Sequence, residues 1–551
     1  MKMKTGSSFG QVQSFKKNIT RISVYKNFYI LIFILSFTFF LSGNSFAIDR
    51  FMAKTGTNTG NCVSSPCATL QYSMSQMAAG DTLIIDDGIY TGAANQMTNS
   101  AHPPTSSTLW TTIKAKNDGA VTFDGETIRC MFSVTKGSLT NVHWRFEGIV
   151  WGRSTSSVVE INSLSYVKFL RCGGYDAGAG NANIFFAGRC SYVLFDGCYA
   201  WGNGRTSFTA WSSDVNNDYI IFRNCVSRID RSSSAPIYNF GMYSVQHGLI
   251  QNCIAIDTDQ PSQYYTGGDW SGGIAVPSTD RDANDIKAYN SIVLNSNIGG
   301  VFTTKNTYST NDVGFHNSVV AGISNKSGAN LNSFRGNRNI IDHVTFVNGT
   351  GGYIGLNAWP WTGSPNGGVN MTNSIIANYT GSSNGTTYGI AGDYQALHGN
   401  STPLSMDSTP LGTHSKTSVN PIWNASTNPT GALKYITRIE PGSNLSGQGS
   451  SGDIGANLTT LRGTTGALWG ETGYDSDTGI SMWPYPNEAL IQAKMSTYTG
   501  GGVNGARGFC ATGKTLTNYI WGYLGNAAPA SSTSPAPPTI PSPMLQSINI
   551  Q

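Results

Sequence analysis

Short apolar runs in the middle of the chain end in the same way: Phe169-Leu-Arg-Cys172, Phe195-Asp-Gly-Cys198, Phe222-Arg-Asn-Cys225 and Ile250-Gln-Asn-Cys253. Serine takes the cysteine position in Ala288-Tyr-Asn-Ser291, Phe315-His-Asn-Ser318 and Met371-Thr-Asn-Ser374, and Ile341-Asp-His-Val344 is a looser member. Between Cys172, Cys198, Cys225, Cys253, Ser291, Ser318, Val344 and Ser374 the steps are 26, 27, 28, 38, 27, 26 and 30 residues, which defines a repeat. A further apolar run falls in most periods, as at Ile184-Phe-Phe186, Phe208-Thr-Ala-Trp211, Ile274-Ala-Val276, Val301-Phe302 and Tyr353-Ile-Gly-Leu356. Short β-branched and aromatic runs separated by Gly, Asn and Ser read as strands and turns. A unit this small cannot bury its own apolar face, so the units stack. A coil of parallel strands gives each backbone group a partner in the next rung.

Asn224, Asn252, Asn290, Asn317 and Asn373 hold the position before the slot. Asn tolerates the left-handed backbone of a tight turn, so these residues read as a structural amide ladder. Residues 67–80 carry Leu70, Met74, Met77 and Ala78 before a glycine, which predicts one amphipathic helix covering the open end of the coil. Strands are expected at 82–85, 111–115 and 121–123. Helical spacing over 487–495 and 515–524 predicts a small helical cap at the other end. The expected division is a leader at 1–47, the coil at 48–460, a capping region at 461–525 and a Pro/Ser-rich linker and tail at 526–551.

Sixty-five glycines and only 12% charged residues suit a turn-rich all-β protein. Lys2, Lys4, Lys16, Lys17, Arg21 and Lys26 precede an apolar run over 28–41 and then Ser45-Phe-Ala47, the pattern of a secretory signal cut after Ala47; an uncleaved anchor is the alternative. Removing 1–47 takes six of the 34 basic residues and none of the 30 acidic ones, leaving 28 against 30, a net charge near −2. Nothing in this balance suggests nucleic-acid binding, which calls for a basic face. The expected location is secreted or cell-surface, without stable membrane insertion once the signal is removed; the sequence leaves the oligomeric state open. Among nine cysteines, Cys62 and Cys67 close a small loop and are the best disulfide pair. Cys172, Cys198, Cys225 and Cys253 would stack with parallel side chains, which suits buried free thiols better than bridges. Cys130, Cys190 and Cys510 have no assignment.

These residues resemble the right-handed parallel β-helix, or pectate-lyase-like, superfamily over roughly 50–460. The head is the most specific part: Ala68-Thr-Leu-Gln71, Ala79-Gly-Asp-Thr-Leu-Ile-Ile85, Asp87-Gly-Ile-Tyr90, Ile113-Lys-Ala115 and Val121-Thr-Phe-Asp-Gly125 are similar to the entry of alginate lyases and chondroitin lyase B. The resemblance implies an all-β, right-handed parallel β-helix solenoid, to which the helical spacing adds the two caps, and it implies activity only weakly, because one scaffold hosts many functions. Of the motif set of polygalacturonase-like enzymes only Asp257-Thr-Asp259 is echoed, which disfavours hydrolysis by paired carboxylates. The Arg-Pro signature of pectate lyases and the Lys and Arg pair of alginate lyases have no match.

The register places candidate chemistry. Counted from the slot, offset four holds Asp176 and Asp257, offset five Asn203 and Asp230, offset six Arg231 and Asp259, and offset seven Arg205. Equal offsets stack, so one flank should gather carboxylates, guanidinium groups and an amide able to bind an acidic sugar or a Ca²⁺ ion bridging it. The same residues could be surface ion pairs between rungs, as Asp196 beside Arg223 is read, contributing roughly 0–1 kcal/mol. The longest period adds Tyr264, Tyr265, Asp269, Trp270, Asp280, Asp282 and Asp285; its Tyr and Trp faces suit stacking on pyranose rings or packing on the coil. Asp280-Arg-Asp282-Ala-Asn284 matches the first ligands of a calcium loop, but Asp285 stands where glycine is needed and Ser291 where the closing Glu belongs. The expected metal ligands are therefore Asp257, Asp259, Asp280 and Asp282.

For β-elimination, candidate bases are Tyr238, Tyr243, His247 and Lys287, with Arg205 and Arg228 neutralising the uronate; substrate-binding candidates are Asn203, Asp230, Arg231, Tyr264, Tyr265 and Trp270. No spacing selects among the bases. The sequence thus reads as an exported β-helix protein that binds polysaccharide, with cleavage of an acidic glycan by elimination as the expected chemistry. A non-catalytic surface or adhesion module is the alternative.

Overall fold

The computed structural model describes residues 47–529 apart from 215–216, 233, 235–236, 260–270, 279, 306–309, 325–330, 353–354, 361–368, 382–386, 389 and 401–410. Most of the expected leader and tail, and Tyr264, Tyr265 and Trp270, lie outside the described residues. Everything below concerns the unit Ile48–Gln551.

Each turn of the coil lays down three strands, and equivalent strands pair in parallel from rung to rung. The strand before the slot builds a first ladder, from Asp49–Met52 through Ser191–Asp196, Asp218–Arg223 and Gly248–Gln251 to Ile390–Ala391. The strand after the slot builds a second, twelve strands long, from Gly88–Tyr90 to Ala396–His398. A third runs through Asn183–Gly188, Thr206–Trp211, Tyr238–Met242 and Gly272–Ser278 to Thr387–Tyr388. The long strands Phe132–Glu147 and Val159–Leu170 continue through two faces and join the first and third ladders. The result is an all-β parallel solenoid of the right-handed type.

Identical registers stack identical side chains. Phe169 is paired with Phe195, their rings 4.9 Å apart and 3° from parallel. Phe185, Phe208 and Phe240 make a second inward stack at 5.0 and 5.2 Å. Cys172, Cys198, Cys225 and Cys253 are buried free thiols between these stacks. Each Sγ lies 3.3–3.5 Å from a carbonyl of the preceding rung, as with Cys198 on Phe169 and Cys253 on Phe222. Burial pushes the Cys172 and Cys225 thiols up, away from the reactive thiolate.

Three corners separate the ladders, and at each the chain uses the left-handed conformation. Asn224, Asn252, Asn290, Asn317 and Asn373 turn the first corner with φ between 44° and 55°. Their amides are chained: Asn252 donates to Asn224 at 2.9 Å, Asn290 to Asn252 at 3.3 Å and Asn317 to Asn290 at 2.7 Å.

The ends differ from expectation. The predicted helix over 67–80 is only Leu70–Ser75, whose Leu70 and Met74 join the core. The exposed edge of the first strand is instead paired by the neighbouring loop: Phe51 donates to the Cys62 carbonyl at 2.7 Å and accepts from Cys67 at 2.9 Å. Cys62 and Cys67 are disulfide-bonded, Cα atoms 5.1 Å apart, which fixes that loop.

The C-terminal helices Glu488–Ser496 and Leu516–Trp521 do not close an end; they lie along the side of the coil. Ile491, Met495, Leu516 and Ile520 pack with Tyr199, Val226, Ile254, Ile292 and Val319 of the second ladder. The reason is visible in that ladder, whose strands are apolar on both faces and so need a cover. The segment leading to the helices runs back along the Asn corner. Ser450 donates to Asn373 at 2.8 Å, Asn457 to Asn317 at 2.6 Å, Arg462 to Asn252 at 3.0 Å and Gly466 to Asp196 at 2.7 Å.

Candidate functional site

The acidic and basic flank read from the sequence exists, but the C-terminal segment occupies it. Arg228 is fully buried, donating to the Met495 and Gly505 carbonyls at 2.9 Å each. Its Nε faces Asp230 Oδ1 at 2.9 Å as an ion pair rather than along a hydrogen-bond direction. Asp230 also pairs with Arg507 at 2.9 Å and accepts from the Gly202 amide at 3.0 Å. Asp257 accepts from Tyr519 Oη at 2.9 Å, the Phe509 amide at 3.0 Å and Asn295 at 3.2 Å. Asp176 takes Tyr498 Oη at 2.6 Å, and Asn203 donates to the Ala177 carbonyl at 2.7 Å. Arg231 lies against Gly501 of the same segment. Arg228, Asp176, Asp230, Arg231 and Asp257 are therefore docking residues for the chain's own C-terminal part, whereas Asn203 ties one rung of the coil to the preceding one. The charges cluster because that segment carries complementary backbone carbonyls, Arg507 and Tyr498.

The pair Asp196–Arg223, read as a surface contact, is buried. The two lie 3.6 Å apart, and burial raises the Asp196 carboxyl and lowers the Arg223 guanidinium.

The four acids read as metal ligands do not converge. Asp257 is occupied as described, Asp259 accepts from Asn297 at 2.7 Å, Asp280 accepts from Trp211 Nε1 at 2.9 Å, and Asp282 lies beside Gln246. Among the described residues no group of three or more His, Cys, Asp or Glu side chains could hold a metal ion.

Two groups of predicted residues do come together. On the third ladder Tyr238 and Tyr243 share a hydrogen bond of 2.9 Å, with the Arg205 guanidinium acting on both and Asp280 on Tyr243. Both tyrosines are buried, and burial pushes both phenols up, which opposes a role as phenolate base. At the corner between the third and first ladders His247 Nδ1 lies 2.6 Å from Asp218 Oδ1, their side chains 39% and 33% exposed. Lys287, on the next rung, pairs with Asp285 at 2.7 Å.

Around His247 this corner also carries rings the sequence reading missed. His143, Tyr166, Tyr192, Tyr219 and His247 form a column of stacked rings 4.5–4.8 Å apart. Trp110 meets one end edge-on, and Trp469 stands 5.5 Å from Tyr219 and 5.9 Å from His247. His143, Tyr166, Tyr192 and Tyr219 hold φ between 49° and 62°. On later rungs Asp285 and Asp312 take the same position. A left-handed aromatic residue costs roughly 1–2 kcal/mol more than the Asn or Asp that suits the turn. Stacking between rungs, worth about 0.5–1.5 kcal/mol per contact, offsets that cost. The signal in the sequence was Tyr at a fixed six residues before each slot in Tyr166, Tyr192 and Tyr219.

The C-terminal segment covers the Asn corner and the second ladder, while Tyr166, Tyr192, Tyr219 and His247 of the aromatic column stay half-exposed and His143 is buried. No helix of the described residues is long and apolar enough to cross a membrane.

No family model matches the chain, and no curated protein matches it. Solved structures similar to it include a pectate lyase, 14% identical over 75% of this chain and 97% of that one, TM-score 0.41. A rhamnogalacturonan lyase is 14% identical over 68% and 87%, TM-score 0.37. A mannuronan C-5 epimerase module from Azotobacter vinelandii is 14% identical over 64% and 95%, TM-score 0.34. The fold rests on this chain's own three ladders: it is a parallel β-helix.

Proposed function

We propose that this protein is an exported β-solenoid that binds polysaccharide along its aromatic corner. The observation that carries the reading is the column Tyr166, Tyr192, Tyr219 and His247, half-exposed and in register at rung spacing. Because the rings stack face to face, the column presents a rigid row of ring edges and polar tips, which suits a ligand with many hydroxyls. A ladder of equivalent sites favours a linear polymer lying along the coil axis.

A second reading, elimination on an acidic glycan, is supported by the Asp218–His247 pair. With Nδ1 held by the carboxylate, Nε2 is the free acceptor. In the elimination Nε2 takes the proton from C5 of a uronate and that C–H electron pair becomes the C4–C5 double bond. The C4–O bond breaks, and the leaving glycosyl oxygen takes up a proton. Lys287, one rung on, would stand near the uronate carboxylate. No step is routed through a metal.

The test is retention of the purified protein on immobilised glycans, neutral and acidic, with ultraviolet absorbance of unsaturated uronate followed with and without Ca²⁺. Retention with a rise in absorbance supports both readings. Retention without it leaves a non-catalytic binding module, and no retention on any glycan overturns the proposal.

A further inference from the structure

Residues 463–476 form a closed loop that leaves the Asn corner and crosses the outer face of the first ladder. Its neck is tied by Gly463 donating to the Ser476 carbonyl at 2.7 Å and Thr464 donating to the Gly473 carbonyl at 2.9 Å. Gly463, Gly466, Gly470 and Gly473 have φ between 77° and 82°. Compact loops with adjoining ends often carry function. Beneath it lies an apolar strip on the outside of the coil, Leu170, Leu194, Ile221 and Leu249, into which Leu468 inserts. The next residue, Trp469, reaches Tyr219 and His247 and packs on Tyr474 at 5.3 Å, while remaining half-buried.

One side chain organises the loop from below. Arg223, fully buried, donates to the carbonyls of Thr464 at 2.6 Å, Ala467 at 2.9 Å and Tyr474 at 2.8 Å. Its Nε is fixed by Gln251 at 2.8 Å, and Gln251 in turn holds Asp475 at 2.8 Å. At the loop's outer edge Lys168 pairs with Glu471 at 3.0 Å. A buried guanidinium satisfied by three loop carbonyls fixes the loop in one position, because any shift leaves a buried charge unpaired.

We infer that this loop is the specificity element of the polysaccharide site: Trp469, set at 56° and 65° to the stacked rings of Tyr219 and His247, supplies the indole on which one pyranose ring packs beside their edges, and Arg223 is its positioning residue. The inference rests on the reading of the aromatic corner as a polysaccharide site. The ligand class is a glycan that offers an apolar pyranose face to an indole, and the loop makes the rungs of Tyr219 and His247 differ from those of Tyr166 and Tyr192, which carry no tryptophan of this segment.

The experiment measures binding of whichever panel glycan the intact protein retains, for Trp469→Ala, Arg223→Met, the double variant, and Tyr192→Asn as a control on the column away from the loop. Trp469→Ala is expected to bind about tenfold more weakly. Arg223→Met should weaken binding comparably, and the double variant should bind within about twofold of Trp469→Ala alone, because Arg223 acts through Trp469. That non-additivity is a readout a general loss of stability would not produce. If Arg223→Met does not fold, replacing 464–475 with two glycines between Gly463 and Ser476 removes the same indole and should give the same loss. Unchanged binding by Trp469→Ala, with Tyr192→Asn weakened, overturns the inference and leaves the polysaccharide reading standing. No retention by the intact protein overturns both.

Discussion

Asn252 grips the backbone of Arg462 with both ends of its amide: Oδ1 accepts the Arg462 N–H at 3.0 Å and Nδ2 donates to the Arg462 carbonyl at 2.8 Å. Asn317 does the same to Asn457, at 2.6 and 2.7 Å. The amide that turns the corner is thus also the clamp for the returning segment. Asn252→Ala loses the clamp and places alanine at φ 55°, a combined cost of about 2–4 kcal/mol. Asn252→Gly loses the clamp alone and should be about 1 kcal/mol milder. Hydrogen exchange at the Arg462 amide reads this directly, with acceleration of tenfold or more in both variants. Protection equal to wild type in Asn252→Ala would falsify the clamp.

The coil was legible because its signal is periodic: Phe169, Phe195 and Phe222 sit in one register, and the strands at 82–85 and 111–115 are where alternation put them. The Asn ladder was legible for the same reason. What the repeat could not reveal was anything non-repetitive in space. Asp230 and Arg507 are 277 residues apart, and nothing in the local pattern says that they meet. A column of charges on a flank therefore read as a ligand site, when its partners were the chain's own carbonyls. The helical spacing around 488–496 was readable, but not its destination, since an amphipathic helix fits a coil's side as well as its end. Trp469 lay in a turn-dense stretch with no periodicity to place it.

Removing the guanidinium of Arg228 should be among the most damaging single changes in the protein. Its carbonyl partners at Met495 and Gly505 and its ion partner Asp230 are all buried with it. Arg228→Met is expected to cost about 3–5 kcal/mol, since breaking a buried pair leaves charge uncompensated. Asp230→Leu added to it should recover part of that loss, even though Arg507 then loses its partner. Denaturant midpoints for the three proteins decide the matter: a single variant within about 1 kcal/mol of wild type would show that the C-terminal segment is not anchored there.

The far end of the returning segment should respond to pH in two steps. Burial alone would raise the Asp342 carboxyl, but hydrogen bonds from His343, Asn373 and Thr372 outweigh it and hold the group down to about 2. Burial alone would lower His343, yet the bond to Asp342 at 3.0 Å and the Ser451 carbonyl at 3.1 Å raise it. A depressed carboxyl stabilises above its unfolded value near 3.9, and that stability disappears as pH falls towards 2. A raised imidazole stabilises below its unfolded value near 6.5, and that stability disappears as pH rises through the folded one. The junction at Ser451 should be tightest between about pH 4 and 6.5. Limited proteolysis around 445–455 across pH should show a minimum in that window, and His343→Gln should abolish the alkaline rise. A pH-independent cleavage rate in the wild type would contradict the linkage.

Tyr192 offers the sharpest separation of fold from function. Its ring stacks on Tyr166 at 4.8 Å and Tyr219 at 4.7 Å, which stabilises the native state by about 0.5–1.5 kcal/mol per contact. Against this, it holds φ 52°, where Asn is the residue the turn prefers and where a tyrosine costs roughly 1–2 kcal/mol. The two effects nearly cancel, so Tyr192→Asn should leave thermal stability within about 1 kcal/mol of wild type. If the column exists for the fold, glycan retention should be equally indifferent to the change. If it exists for a ligand, the same variant loses a ring from the middle of the column and should bind about tenfold more weakly at unchanged stability. A variant that is both as stable and as retentive as wild type would leave the tyrosines without a ligand role.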